Sequence, residues 1–222
     1  MNVSLRDDDV VKLFGVLESN RTISALEIHC ITFWRRTSKA LGRLVENNRL
    51  LVLLTITVNK NDTEVDSTLQ ARYICRELKE AIVRNRFLIG LTVELGISKP
   101  SNEPAIKNAL GRNMILVNEA TRFVAGSMHK TDALAFETLQ HCESVRMNIN
   151  YNRHSESAAS KIAQARERLA LNYFVLTGVV KAKIVCHRNR KAKKKKTLFD
   201  NIGRHMQARI CSYLSLTDVL DA

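Results

Sequence analysis

Residues 38–58, SKALGRLVENNRLLVLLTITV, change their hydrophobic period partway along. Leu41, Leu44 and Val45 share one helical face, and after Asn48 the apolar positions Leu51, Leu54 and Ile56 follow at the tighter spacing of a strand. The stretch predicts a helix that closes at Asn48 and feeds a short strand.

The same unit recurs on both sides. Asn20, Asn48 and Asn85 each have an aliphatic residue seven positions before (Leu13, Leu41, Leu78) and three before (Leu17, Val45, Ile82). The agreement continues three positions after (Ile23, Leu51, Leu88), six after (Leu26, Leu54, Leu91) and eight after (Ile28, Ile56, Val93). A fourth copy at Asn113 keeps Ile106, Leu110 and Leu116 but has Glu119 and Thr121 at the strand positions, so it reads as the fading end of the array. The Asn residues are spaced by 28, 37 and 28, and the polar stretch Asn59 to Ser67 is expected to absorb the extra nine residues as a loop.

A period of 28 with a helix feeding a strand resembles the leucine-rich repeat of the ribonuclease-inhibitor-like class, over residues 9 to 125. Leu51, Leu54, Ile56 and Asn59 carry its L-x-x-L-x-L-x-x-N/C pattern in full. Ile31, Gly96 and Val124 stand where Asn or Cys would complete the ladder elsewhere, so irregular turns are expected there. The resemblance implies an α/β solenoid with parallel strands inside and helices outside. The physics agrees: one repeat has one apolar helix stripe and one apolar strand face and buries neither alone, so repeats must stack. Asn suits a left-handed helix end. Thr37 and Ser38, Ser67 and Thr68, and Pro104 are the expected helix starts, and Asp7 to Asp9 suit the first turn of the first helix. Its inner face carries Val10, Leu13, Phe14 and Leu17. The array starts in mid-repeat, so the apolar flank of its first repeat is expected to be exposed. Phe33 and Trp34 lie in a loop expected to pack on the neighbouring repeat.

The repeat array is read as residues 1–126 and a mainly helical C-terminal region as 127–222. In that region helices are expected from Thr131 or Asp132 through Val145, from Ser155 or Ser157 to about Tyr173, over Val175 to His187, and over Leu198 to Leu214, with Asn148 to Ser155 as a linker. Near the C-terminus ICSYLSLTDVLDA resembles the opening of an F-box in Ile210, Tyr213, Leu214, Leu216, Asp218 and Val219, over about a dozen residues. From the residues alone the same words read as a helix, a turn and the start of another helix at Thr217-Asp218.

The composition, 45% hydrophobic with two Pro and eight Gly, is that of a globular chain. No apolar run is long enough to span a bilayer, and MNVSLRDDD lacks the basic start and apolar core of a secretory signal. The five Cys, at 30, 75, 142, 186 and 211, are odd in number and never in C-x-x-C spacing, which fits reduced thiols in the cytoplasm or the nucleus. The pairs His29-Cys30, His141-Cys142 and Cys186-His187 are adjacent, so each pair projects in two directions and preforms no zinc site.

Catalytic signatures are missing from the sequence, and no enzyme activity, cofactor or metal is expected. If Leu26/Ile28, Leu54/Ile56 and Leu91/Val93 point inward, strand alternation exposes Ala25, Glu27 and His29; Leu53, Thr55 and Thr57; and Gly90, Thr92 and Glu94. That patch carries two acids and no Lys or Arg. It suits a protein partner on the concave strand surface and suits nucleic acid poorly. The chain as a whole has a net charge of +13, and about half of it lies in one run: Arg188, Arg190, Lys191, Lys193, Lys194, Lys195 and Lys196, with no acid between 188 and 196. The run resembles a nuclear-import signal; by charge it would also contact phosphates or an acidic protein, and its plain reading is a solvated linker.

Overall fold

The computed structural model of the chain describes residues 5–30, 32–58, 64–95, 102–151, 157–179 and 203–219. The protein is a mixed α/β chain with a small, open, three-stranded parallel sheet. It divides into two compact units, Met1–Ile115 with Cys142–Ser144, and Leu116–His141 with Val145–Ala222.

In the first unit α1 (Asp7–Leu17), β1 (Ala25–Cys30), α2 (Arg35–Asn47), β2 (Leu53–Val58), α3 (Glu64–Arg84), β3 (Gly90–Leu95) and the first part of α4 (Pro104–Val124) alternate along the chain. Ala25 pairs with Leu53 and Leu53 with Gly90, register offsets of 28 and 37 that reproduce the spacings of the Asn residues. One face of each strand is buried against the helices: Ile28 and Cys30; Leu54, Ile56 and Val58; Leu91, Val93 and Leu95. Opposite them lie Val10, Phe14 and Leu17, then Leu41, Leu44 and Val45, then Ile74, Leu78 and Ile82. The first repeat is the looser one. Leu13 and Leu26 are half-buried and Ile23 is 37% exposed, where Leu51 and Leu88 are buried. Leu5 lies beside it, in a single parallel bridge to Cys30. Burial pushes the Cys30 thiol up to about 12, with Asp7's charge adding to the effect.

The repeated Asn residues do a different job from the one expected. Asn48 has φ −78° and ψ 128°, extended rather than left-handed. Its side chain is buried and spans two repeats: Oδ1 accepts from the N–H groups of Leu50 (2.8 Å) and Leu51 (2.7 Å), and Nδ2 donates to the carbonyls of Leu17 (2.7 Å) and Asn20 (3.5 Å). Asn85 repeats the pattern with Phe87 and Leu88 (2.8 Å each) and with Val45 (2.6 Å) and Asn48 (3.3 Å). Asn20 makes the same local turn, accepting from Thr22 and Ile23. The ladder therefore runs through the helix-closing Asn residues. Of the positions where the repeat pattern puts its ladder residue, Val124 lies in α4 rather than in the irregular turn expected there, and Ile31, Asn59 and Gly96 fall outside the described residues.

The fourth copy forms no strand: Leu116, Glu119 and Thr121 lie in α4, which continues to Val124. Arg112 explains why. Its Nη2 donates to the carbonyls of Ile82 (3.2 Å) and Asn85 (2.6 Å), the two acceptors that an Asn side chain takes in the earlier repeats. Asn113 is left to donate to Leu88 O (2.8 Å), and its Oδ1 receives Arg112 rather than the N–H groups ahead of it. Nothing then turns the chain, and burial of Val117, Ala120 and Phe123 at helical spacing carries the helix on.

Two helix starts also differ from expectation. α2 begins at Arg35, so Thr37 and Ser38 are buried inside it. The residue before the helix is held instead by Asp7 of α1, whose carboxylate accepts from Trp34 N–H (3.3 Å) and from the Thr37 hydroxyl. α3 begins at Glu64, so residues 64–67 are helical, while 59–63 fall outside the described residues. Pro104 and Asp7 to Asp9 stand in first turns as expected. Phe33 is buried, 6.1 Å from Phe14, with its N–H on Gln70 Oε1 (3.1 Å).

In the second unit, which takes α6 from Val145 onward, the expected helix over 131–145 is two, α5 (Lys130–Leu139) and α6 (Glu143–Tyr151), broken where Gln140 O accepts from Arg166 Nη2 (3.0 Å). Residues 148–151 are helical rather than linker, with Asn148 donating to Thr121 Oγ1 (3.1 Å). Ser157 caps α7 (Ala158–Leu171), and α8 (Tyr173–Leu176) follows. α9 (Arg204–Cys211) occupies part of the stretch 198–214. Most of 175–187 falls outside the described residues. After α9 a capping box of Ser215 and Asp218 closes a 3-10 turn, Leu216–Asp218. Glu137 of α5 holds this turn through Ser215 Oγ (3.0 Å) and Leu216 N–H (3.1 Å), and Tyr173 donates to Ser215 O (3.0 Å). Asp132 is buried. Burial alone would raise its pKa, but hydrogen bonds from Arg122 (2.7 Å) and Ser127 (2.6 Å) and the nearby charges of Arg122 and His129 outweigh it, and the carboxyl titrates below its ordinary range.

Candidate functional site

Because strand side chains alternate, burying one face of the sheet leaves the other open. The nine residues named from the sequence stand on that open face in three rows. Ala25, Leu53 and Gly90 form the first, Glu27, Thr55 and Thr92 the second, His29, Thr57 and Glu94 the third. Ala25, Glu27, Leu53, Thr92 and Glu94 are exposed; His29, Thr55, Thr57 and Gly90 are half-buried.

The rows differ in chemistry. In the first, Leu53 is 37% exposed and lies over Gly90, where an added Cβ would come within 2.6 Å of Leu53 Cδ2. The missing side chain at Gly90 is what lets Leu53 spread across the neighbouring strand as an apolar strip. The second and third rows are polar. Threonines, which suit strands through their branched Cβ, occupy the centre, and acids stand at two corners. His29 Nε2 is 3.4 Å from Glu27 Oε1, with their side chains 42% and 67% exposed. Sequence alternation located these residues but not the lean of Leu53 over Gly90, which follows from a register linking positions 37 apart.

Spacings of about 4.8 Å between strands and 3.3 Å per residue make the patch roughly 15 by 18 Å, about 300 Å². Stable protein–protein interfaces bury about 800 Å² per partner. The face alone therefore matches a peptide segment better than a second globular domain.

In the second unit a cavity of about 180 Å³ is lined by Glu137, Gln140, Arg166, Leu169, Tyr173 and Cys211 among others. Its polar groups are committed to structure: Arg166 to Gln140 and His141, Glu137 and Tyr173 to the turn at Ser215. The basic residues Arg188, Arg190, Lys191 and Lys193 to Lys196 fall outside the described residues. Among the described residues no helix is long and apolar enough to cross a membrane. Compared with known families, curated proteins and solved structures, the chain has no match.

Proposed function

We propose that this chain is a non-enzymatic protein-binding module: a short solenoid of the leucine-rich-repeat kind whose strand face holds a partner. The solenoid reading is supported by the two registers and by the Asn ladder, which makes the same four bonds at Asn48 and Asn85. One observation carries the binding reading. The nine open-face residues form a continuous surface of three rows, apolar at one end and hydroxylic and acidic at the other.

The test is Thr55→Arg with Thr92→Arg, two long cations at the middle of the patch. Proteins co-purifying with the intact chain from nuclease-treated lysate should be lost from the variant, which should keep its circular dichroism spectrum. Unchanged recovery by a folded variant would remove the strand face as the site.

A further inference from the structure

None of the nine open-face residues is Lys or Arg, and two are glutamates, in a chain whose net charge is +13. The contrast with the helix layer is local, since exposed Arg35, Arg36, Lys39 and Arg43 all stand on α2. At physiological salt, charges beyond about 8 Å are largely screened, so a ligand on the strand face responds to the charges there rather than to the distant excess.

Glu27 lies in the middle row on β1, and Glu94 one row further on β3, two strands away. Two strand spacings across and two residues along put their backbones about 12 Å apart. Thr55, Thr57 and Thr92 lie around the line between them and offer hydroxyl acceptors. An extended peptide advances about 3.3 Å per residue and shows alternate side chains to the same side, so residues four apart are separated by about 13 Å and face the same way.

We propose that the partner of this face presents an extended cationic segment with two Lys or Arg residues four positions apart, lying obliquely across the strands with one cation on Glu27 and the other on Glu94. The apolar strip of Leu53 takes a flanking aliphatic residue. His29 Nε2 is already 3.4 Å from Glu27 Oε1, so the first cation shares that carboxylate with the imidazole. This inference names the partner chemistry of the face and rests on the reading that the face is the binding site.

The probe is a fluorescein-labelled Gly/Ser dodecapeptide carrying two lysines four residues apart and one leucine, titrated with the full chain by fluorescence anisotropy. Glu27→Gln with Glu94→Gln should weaken binding about tenfold, and so should placing the lysines next to each other. Glu46→Gln with Glu80→Gln, on the helix side, should leave binding unchanged. Equal binding by wild type and the Glu27/Glu94 variant, or no binding by wild type, overturns the proposal. In the lysate experiment, partners lost with Thr55→Arg/Thr92→Arg but kept with Glu27→Gln/Glu94→Gln would mean a partner that is not cationic on a face that does bind. Partners kept by both variants would remove the face itself.

Discussion

At the residue scale the chain depends on what an asparagine can do that a glycine cannot. Asn48 is buried and uses both its donors and its acceptor oxygen, tying the turn after α2 to the carbonyls of the repeat before. A left-handed cap would tolerate Gly at this position or gain from it. An extended residue holding four hydrogen bonds would not, and Asn48→Gly should cost about 3 kcal/mol, since it leaves buried backbone groups of two repeats without partners. Trp34 is the chain's single tryptophan and belongs to the same unit, so its fluorescence during urea unfolding reads that unit. An unchanged midpoint in Asn48→Gly would contradict the ladder. The sequence showed the position of these residues through the spacing of Asn20, Asn48 and Asn85. It hid their role, because an Asn that ends a helix and an Asn that reaches across to another repeat look alike until the neighbouring carbonyls are in place.

The elements divide the same way. Strands were legible because two rules agree on them: alternation assigns Ile28, Ile56 and Val93 inward, and the repeat spacing sets which residues pair. Helix boundaries were less so. Thr37 and Ser38 resemble a cap, but the start of α2 is tied at Trp34 to Asp7, 27 residues earlier in the chain, and no local pattern reports a partner that far away. α4 passes Asn113 for a similar reason, as Arg112 has taken over the acceptors that would have fixed a turn. In the second unit the buried Asp132 ties α5 to Arg122 of α4. Its folded pKa is depressed, so its contribution is complete above its unfolded value of about 3.9 and is lost as pH falls through the lower folded value. Because Arg122 is more than half exposed, solvent screens the pair, and Asp132→Asn should cost only about 2 kcal/mol at pH 7. Circular dichroism melts should show the gap between variant and wild type closing below about pH 4. A gap that stays constant into acid would mean that the carboxylate charge contributes nothing.

At the scale of the whole molecule, charge and fold are arranged separately. The repeats keep Lys and Arg off the open strand face, place a cluster of them on α2, and leave the long basic run to residues 188–196. The sequence made the nine face residues readable, since strand alternation needs no knowledge of tertiary structure. The apolar strip was not readable, because it depends on Leu53 meeting Gly90 across a register that includes the nine extra residues.

The central claim is that a partner sits on this face, and site-specific photocrosslinking tests it most directly. A benzophenone amino acid placed at Thr55 of the full chain should, on irradiation in lysate, yield a discrete higher-mass adduct. The same probe at Lys39, exposed on the helix layer, should not. Adducts from Lys39 with none from Thr55 would contradict the account and move the binding site to the opposite side of the first unit.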